Sequence, residues 1–243
     1  MTSRRHSLAC AAALAVLILA GCASTPGSTE PTTSDAPEGS SSPAPQAEDG
    51  FEAAWLDEGR MFAVVSWGSS SCVPVVDAVS AEGQTVTVAL VSTEKEDAVC
   101  TADLAPRASL GSVPEGVDPT KDVELIVTLD DGVSDDVDLD GDAALTGVPG
   151  SSTEYAPSAG WFDDESLVLL TWGSSSCPPV IESVEGGGTS GTVAFVTDED
   201  QACTMDMAPR ATIVVFGEDQ VDDDGFELNL TGGGLDGTVL VRG

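Results

Sequence analysis

The segment Trp67-Gly68-Ser69-Ser70-Ser71-Cys72 recurs as Trp172-Gly173-Ser174-Ser175-Ser176-Cys177, 105 residues further along the chain. A second block, Cys100-Thr101-Ala102-Asp103-Leu104-Ala105-Pro106-Arg107, returns as Cys203-Thr204-Met205-Asp206-Met207-Ala208-Pro209-Arg210, 103 residues on. Trp55-Leu56-Asp57 answers Trp161-Phe162-Asp163, and Val123-Glu124-Leu125 answers Phe226-Glu227-Leu228. Matched blocks in the same order define a tandem duplication, so any fold must be built from one unit used twice. The offset falls by two between the blocks, which places two extra residues of the first copy between its cysteines, most simply at Ser92–Ala98.

Each copy reads as β-structure. Phe62–Trp67, Thr85–Val91 and Val123–Leu129 are rich in β-branched and aromatic residues and are separated by turn formers. Leu167–Trp172, Thr192–Thr197 and Phe226–Thr231 repeat them in the second copy. Val75, Val76 and Val79, with Val180, Ile181 and Val184, predict a further strand after the Ser-Cys turn. A sustained helical period is absent. The fold class expected is mainly β, with two tandem small antiparallel sandwich-like or barrel-like domains. Their limits are read as 51–147 and 161–243, joined by a linker at 148–160.

Four cysteines, Cys72, Cys100, Cys177 and Cys203, stand at matched places, two per copy. They allow three pairings. Duplication favours Cys72–Cys100 and Cys177–Cys203, because the ancestral copy had to fold alone. Each bridge would close a loop of just under 30 residues, contributing about 3–4 kcal/mol by the chain-entropy model. A redox or metal role for paired thiols is the alternative, although no CxxC spacing occurs.

The first 21 residues carry Arg4, Arg5 and His6 and no acid, then an apolar run from Leu8 to Ala20, then Gly21 and Cys22. That run is shorter than the roughly 20 residues of a spanning helix and has the layout of an export signal. Leu19-Ala20-Gly21-Cys22 resembles the lipobox of bacterial lipoproteins. The resemblance implies cleavage before Cys22, lipid on its thiol, and a protein held by the membrane on its extracytoplasmic face, where disulfides form. Ser3-Arg4-Arg5-His6-Ser7-Leu8 partly resembles a twin-arginine signal but lacks the expected aromatic residue. Residues 23–50 are rich in Ser, Thr, Pro, Ala, Gly and acids, without an aromatic residue or long aliphatic side chain before Phe51. Such a segment buries too little apolar surface to offset its ordering entropy, and is read as a tether.

A formal net charge of −34 bears on partners. Nucleic acid and anionic lipid headgroups would be repelled, whereas a basic protein, a cationic ligand or a divalent metal would not. His6 is the one histidine and lies in the signal. The mature chain therefore has no Ser-His-Asp, Cys-His or imidazole–zinc chemistry to offer. Lys95 and Lys121 are the lysines, both in the first copy, which excludes a Ser–Lys dyad shared by the copies.

Candidate ligand residues are Ser69, Ser70, Ser71 and Arg107, with Ser174, Ser175, Ser176 and Arg210. Three hydroxyls and free backbone N–H groups in a turn can hold a sugar or an anion, and an exposed arginine can grip a carboxylate. The competing reading gives the turn to packing, and gives Asp103–Arg107 and Asp206–Arg210 to a local ion pair or backbone cap. Asp136-Val137-Asp138-Leu139-Asp140-Gly141 begins like a calcium loop, but Gly147 stands where the twelfth-position glutamate belongs. The matching residues Thr238–Gly243 make it a last strand with Val137 and Leu139 inward.

The pattern Trp-Gly-Ser-Ser-Ser-Cys-x-Pro followed by Cys-Thr-x-Asp-x-x-Pro-Arg looks like segments of uncharacterised actinobacterial secreted proteins and lipoproteins. It brings no activity with it. The function expected is a surface-tethered, non-enzymatic binding module, with no cofactor, whose partner is a cell-envelope protein or glycan. Two rivals are a carboxylate-based glycan hydrolase using Asp103 and Asp206, and a calcium-dependent adhesion module.

Overall fold

The computed structural model describes residues 50–93, 99–198 and 200–243. Cys22, the signal, the tether and most of the Ser92–Ala98 loop lie outside the described residues. The first copy forms seven strands: β1 (Glu52–Leu56), β2 (Met61–Gly68), β3 (Val75–Glu82), β4 (Thr85–Val91), β5 (Ala105–Ser112), β6 (Val123–Leu129) and β7 (Ser134–Leu139). The second repeats them as β8 (Ser158–Asp163), β9 (Ser166–Gly173), β10 (Ile181–Gly186), β11 (Ser190–Phe195), β12 (Ala208–Val215), β13 (Glu227–Gly232) and β14 (Gly237–Arg242). The chain is mainly β, as its residue pattern predicts, and β8 begins at Ser158, inside the segment expected to be linker.

Strand order corrects the expectation of purely antiparallel sheets. The first copy makes a three-stranded sheet, β1-β2-β5, and a four-stranded sheet, β3-β4-β6-β7. Most neighbours are antiparallel, but β4 and β6 run parallel, as do β11 and β13. The reason is the path of the chain. After β4 it crosses to the other sheet, returns in the opposite direction as β5, and re-enters beside β4 as β6. A parallel pair needs such a crossover, and here the disulfide loop and β5 supply it. In the second copy the two sheets fuse into one of seven strands, because β14 pairs with β8 through Val241↔Ala159 and Arg242↔Gly160.

Burial explains the sequence pattern strand by strand. β4 and β6 alternate, with Val86, Val88 and Leu90 and then Val123, Leu125 and Val127 turned inward. They meet Ala53, Trp55, Phe62 and Val64 from β1 and β2 in one apolar cluster. Trp161, Leu167, Leu169, Val193, Phe195, Leu228 and Leu230 form its counterpart in the second copy. By contrast, β2 and β9 are buried at six successive positions, Met61–Ser66 and Ser166–Thr171. Met61, Ala63 and Val65 of β2, with Ala54 and Leu56 of β1, build a third cluster against Val168 and Leu170 of β9 and Phe162 of β8. This core belongs to neither copy. It joins them into one compact unit.

The junction is close. β1 lies against β8 and β5 against β12, so each strand meets its own counterpart, the pattern of an approximate two-fold relation. At Gly160 a Cβ would stand 2.3 Å from the Trp55 carbonyl oxygen, so only glycine lets β8 approach β1. The turn after β1 adds polar contacts: the Asp57 N–H donates to Ser158 Oγ at 2.8 Å, and the Gly147 N–H donates to the Glu58 carbonyl at 2.7 Å. Gly160→Ala is expected to destabilise the unit by about 1–3 kcal/mol through overpacking. Gly237→Ala, with nothing within 4 Å of the new methyl group, should change stability by less than about 0.5 kcal/mol. Chemical denaturation of the two variants checks this, and both copies should unfold in one transition.

Candidate functional site

The matched motifs meet at the disulfides. β2 ends in Trp67-Gly68, and the Cys72 N–H closes a turn onto the Ser69 carbonyl at 3.2 Å. Cys72 is bridged to Cys100, and Cys177 to Cys203, the pairings that duplication favours. Each bridge brings the Cys-Thr-x-Asp segment against the serine turn. In the first copy Ser69 Oγ shares a hydrogen bond with Thr101 Oγ1 at 2.7 Å, and the Thr101 N–H donates to Ser71 Oγ at 3.0 Å. Asp103 accepts from the Ser70 N–H at 3.2 Å and from the Thr101 hydroxyl. The second copy reproduces the set: Ser174 with Thr204 at 2.7 Å, the Thr204 N–H on Ser176 Oγ at 3.0 Å, and Asp206 on the Ser175 N–H and the Thr204 hydroxyl. Two segments about 30 residues apart in sequence thus become one hydrogen-bonded tip.

The arginines turn the other way. Arg107 donates to the Cys72 carbonyl at 2.8 Å, the Trp67 carbonyl at 3.3 Å and Ser66 Oγ at 3.2 Å. Arg210 donates to the Cys177 carbonyl at 3.0 Å and the Trp172 carbonyl at 3.1 Å. Neither forms an ion pair with the aspartate four residues before it; the ion pairs among the described residues lie elsewhere. Of the two structural roles expected for these residues, the ion pair is absent and backbone capping is what the geometry uses. The guanidinium lies flat over the strand end, where a Cβ at Gly68 would be 2.6 Å from Arg107 Cζ, and one at Gly173 2.9 Å from Arg210 Cζ. This explains the glycine of both Trp-Gly pairs, a signal that sequence reading passed over. Burial lowers the pKa of each arginine, and the nearby aspartate charge opposes that shift.

Hydrogen bonds hold the aspartates ionised. The Ser70 side chain, then Thr101 and the Ser70 N–H, lower the Asp103 pKa to about 2. The Thr204 and Ser175 side chains lower that of Asp206 to about 2 as well. A general acid needs the opposite shift, so the hydrogen bonds draw both carboxylates away from that role. The Ser69 and Ser71 hydroxyls face one another and Thr101, while those of Ser70 and Ser175 bond to the Asp103 and Asp206 carboxylates. The residues that begin like a calcium loop form the last strand of the first copy, as the match to Thr238–Gly243 predicts. Asp136 and Asp138 lie on β7, exposed and alternating with Val137 and Leu139, and the Asp140 carbonyl accepts from Trp55 Nε1 at 2.7 Å. An extended strand cannot wrap those carboxylates around one ion.

Facing solvent at the tips are apolar side chains. Leu104 is 65 % exposed and its counterpart Met207 60 %, with Met205 fully exposed beside it. Sequence reading missed them because they sit between polar motif residues without periodicity. No family model matches the chain, and neither a curated protein nor a solved structure does.

The depressed Asp103 and Asp206 pKa values set a pH expectation. A carboxylate whose pKa falls on folding contributes stability above its unfolded value near 3.8 and loses it as pH drops through about 2. In an NMR titration the Ser70 and Ser175 amide resonances should therefore hold through pH 4 and move with a midpoint near 2. A midpoint near 4 would show that the caps are not formed. Replacing Cys177 and Cys203 together by serine should cost about 2–4 kcal/mol, read as a fall in denaturation midpoint.

Proposed function

We propose that this chain is an extracytoplasmic lipoprotein, anchored by lipid on Cys22 and spaced from the membrane by residues 23–50, that acts as a non-enzymatic, two-headed binding module. Each copy is read as a small sandwich of three strands on four, with its disulfide tip as the binding head. One observation carries the reading: both tips are fixed by a bridge and a matched hydrogen-bond set, yet present large apolar side chains, Leu104 and Met207, to water. Ordering a tip costs entropy that a mere connector has no need to bear. A rigid prong with an exposed apolar end loses little further freedom on binding, and such residues favour contact with a partner.

The partner proposed is a cell-envelope protein with an apolar pocket in a basic surface. Net charge supports this, since a chain at −34 attracts a basic surface and repels an acidic one. Two heads on one unit allow avidity, in which each head raises the effective concentration of the other.

Two tests bear on the two halves of the proposal. In an exporting host fed an alkyne fatty acid, the parent chain should take up label and Cys22→Ala should not; equal labelling would remove the anchor. Proximity crosslinking on intact cells should then capture a dominant partner. Leu104→Ser or Met207→Ser alone should weaken capture roughly tenfold and the double variant abolish it, with unchanged melting temperature. Undiminished capture by the folded double variant would sink the two-headed reading.

A further inference from the structure

The two tips share a bridge and a hydrogen-bond set, and they differ in thioether sulfur. Beyond Met1 the chain has three methionines, Met61, Met205 and Met207. Met61 is 8 % exposed and belongs to the third core. The other two stand at the second tip on either side of Asp206, Met205 fully exposed and Met207 largely so. The first tip has Ala102 and Leu104 at the matching positions.

The frame of the tip decides what these side chains meet. The Asp206 carboxylate turns to the serine turn, where it accepts from the Ser175 N–H at 3.2 Å and from the Thr204 hydroxyl. Its neighbours on both sides are left to water. Neither thioether enters the hydrogen bonds that tie Ser174, Ser176 and Thr204 together, so a change at sulfur leaves the frame intact. Leucine and methionine are close in volume and both apolar. Methionine in place of leucine therefore keeps the apolar end of the tip and adds the lone pairs of sulfur.

Those lone pairs are chemistry that the first tip lacks. A thioether attacks one oxygen of hydrogen peroxide. The O–O bond breaks, sulfur keeps that oxygen as a sulfoxide, and the second oxygen leaves as water with both protons. Sulfur loses two electrons and the peroxide gains them. The four described cysteines are spent in bridges, so among the described residues no thiol competes for the oxidant. A chain at −34 repels anionic oxidants and leaves an uncharged peroxide unhindered. The sulfoxide is polar, so oxidation removes the apolar end on which a contact depends. We propose that Met205 and Met207 form an oxidation site through which a peroxide silences the second head and spares the first. The silencing rests on the two-headed reading, whereas the oxidation site rests on exposure and the chemistry of sulfur.

The test treats the chain, purified from an exporting host, with hydrogen peroxide and locates the added oxygen by peptide mass spectrometry. Met205 and Met207 should each gain an oxygen about tenfold faster than Met61 or more, with an unchanged melting temperature. The oxidised chain should leave a phenyl-substituted column earlier than the parent. A Met205→Leu, Met207→Leu variant given the same peroxide should show no such change. On intact cells treated with peroxide, capture of the partner should fall roughly tenfold, the loss expected of Met207→Ser. The leucine variant should keep its capture, which separates this pair from other molecules that the peroxide oxidises. Oxidation of Met61 as fast as the pair, or an equal loss of capture by the leucine variant, would overturn the proposal. So would undiminished capture by the oxidised parent where Met207→Ser is weakened, a result that leaves the two heads standing. Undiminished capture by both the oxidised parent and folded Met207→Ser would remove the two-headed reading, and the silencing with it.

Discussion

Burial of β1–β2 and β8–β9 on both faces organises the molecule. One face of each closes the core of its own copy, and the other meets its counterpart across a third cluster around Leu56, Val65, Phe162 and Val168. Strands covered on both sides carry no exposed face to solvate, and their apolar residues run continuously where β4 and β6 alternate. The close approach at Gly160 and the strained turn at Asp57–Gly59 follow from pressing these layers together. Edge strands β5 and β12 are carried to the same junction, each paired on one side only.

In a chain with so few cations, arginine is used as a fastener. Every arginine among the described residues bonds to a carbonyl or carboxylate of the protein: Arg60 to Asp57, Arg107 and Arg210 to the strand ends before the disulfides, and Arg242 to Glu58 at 3.3 Å. The planar fork suits this work, because it reaches two or three oxygens from one position. Aspartates 103 and 206 act in the same way from the opposite side, as acceptors for backbone N–H groups. The polar residues of the repeated motif therefore build the tip. The residues left to meet a partner are its apolar ones.

Duplication has not produced identity. Trp55 Nε1 donates to the Asp140 carbonyl, whereas Trp161 Nε1 has no partner. β14 pairs with β8, whereas β7 lies beside β1 without a shared ladder. Trp67 meets Phe162, whereas Trp172 meets Tyr155 of the connecting segment. Two equal units packed against each other compete for the same space, and the chain connecting them is present only once. These differences gather where the units touch.

Much of the fold was legible in the sequence. β-Branched runs between turn formers located β4 and β6 to the residue, the repeat located their partners, and matched cysteines in a duplicated chain gave both bridges. β5 and β12 were not legible. They open on Ala-Pro-Arg, lack a hydrophobic period, and pair through backbone groups that no side chain announces. Likewise, Ser69–Ser71, Thr101, Asp103 and Arg107 could be marked as belonging together, but not which of them hold the tip and which face outward. That depends on which carbonyls lie within reach of a guanidinium once the strands are paired. The sequence by itself determined that one β-rich, disulfide-closed unit is used twice, because periodicity and repetition are properties of a line. Parallel pairing and the shared core were decided by tertiary structure alone, because they depend on which faces remain apolar after each copy has closed.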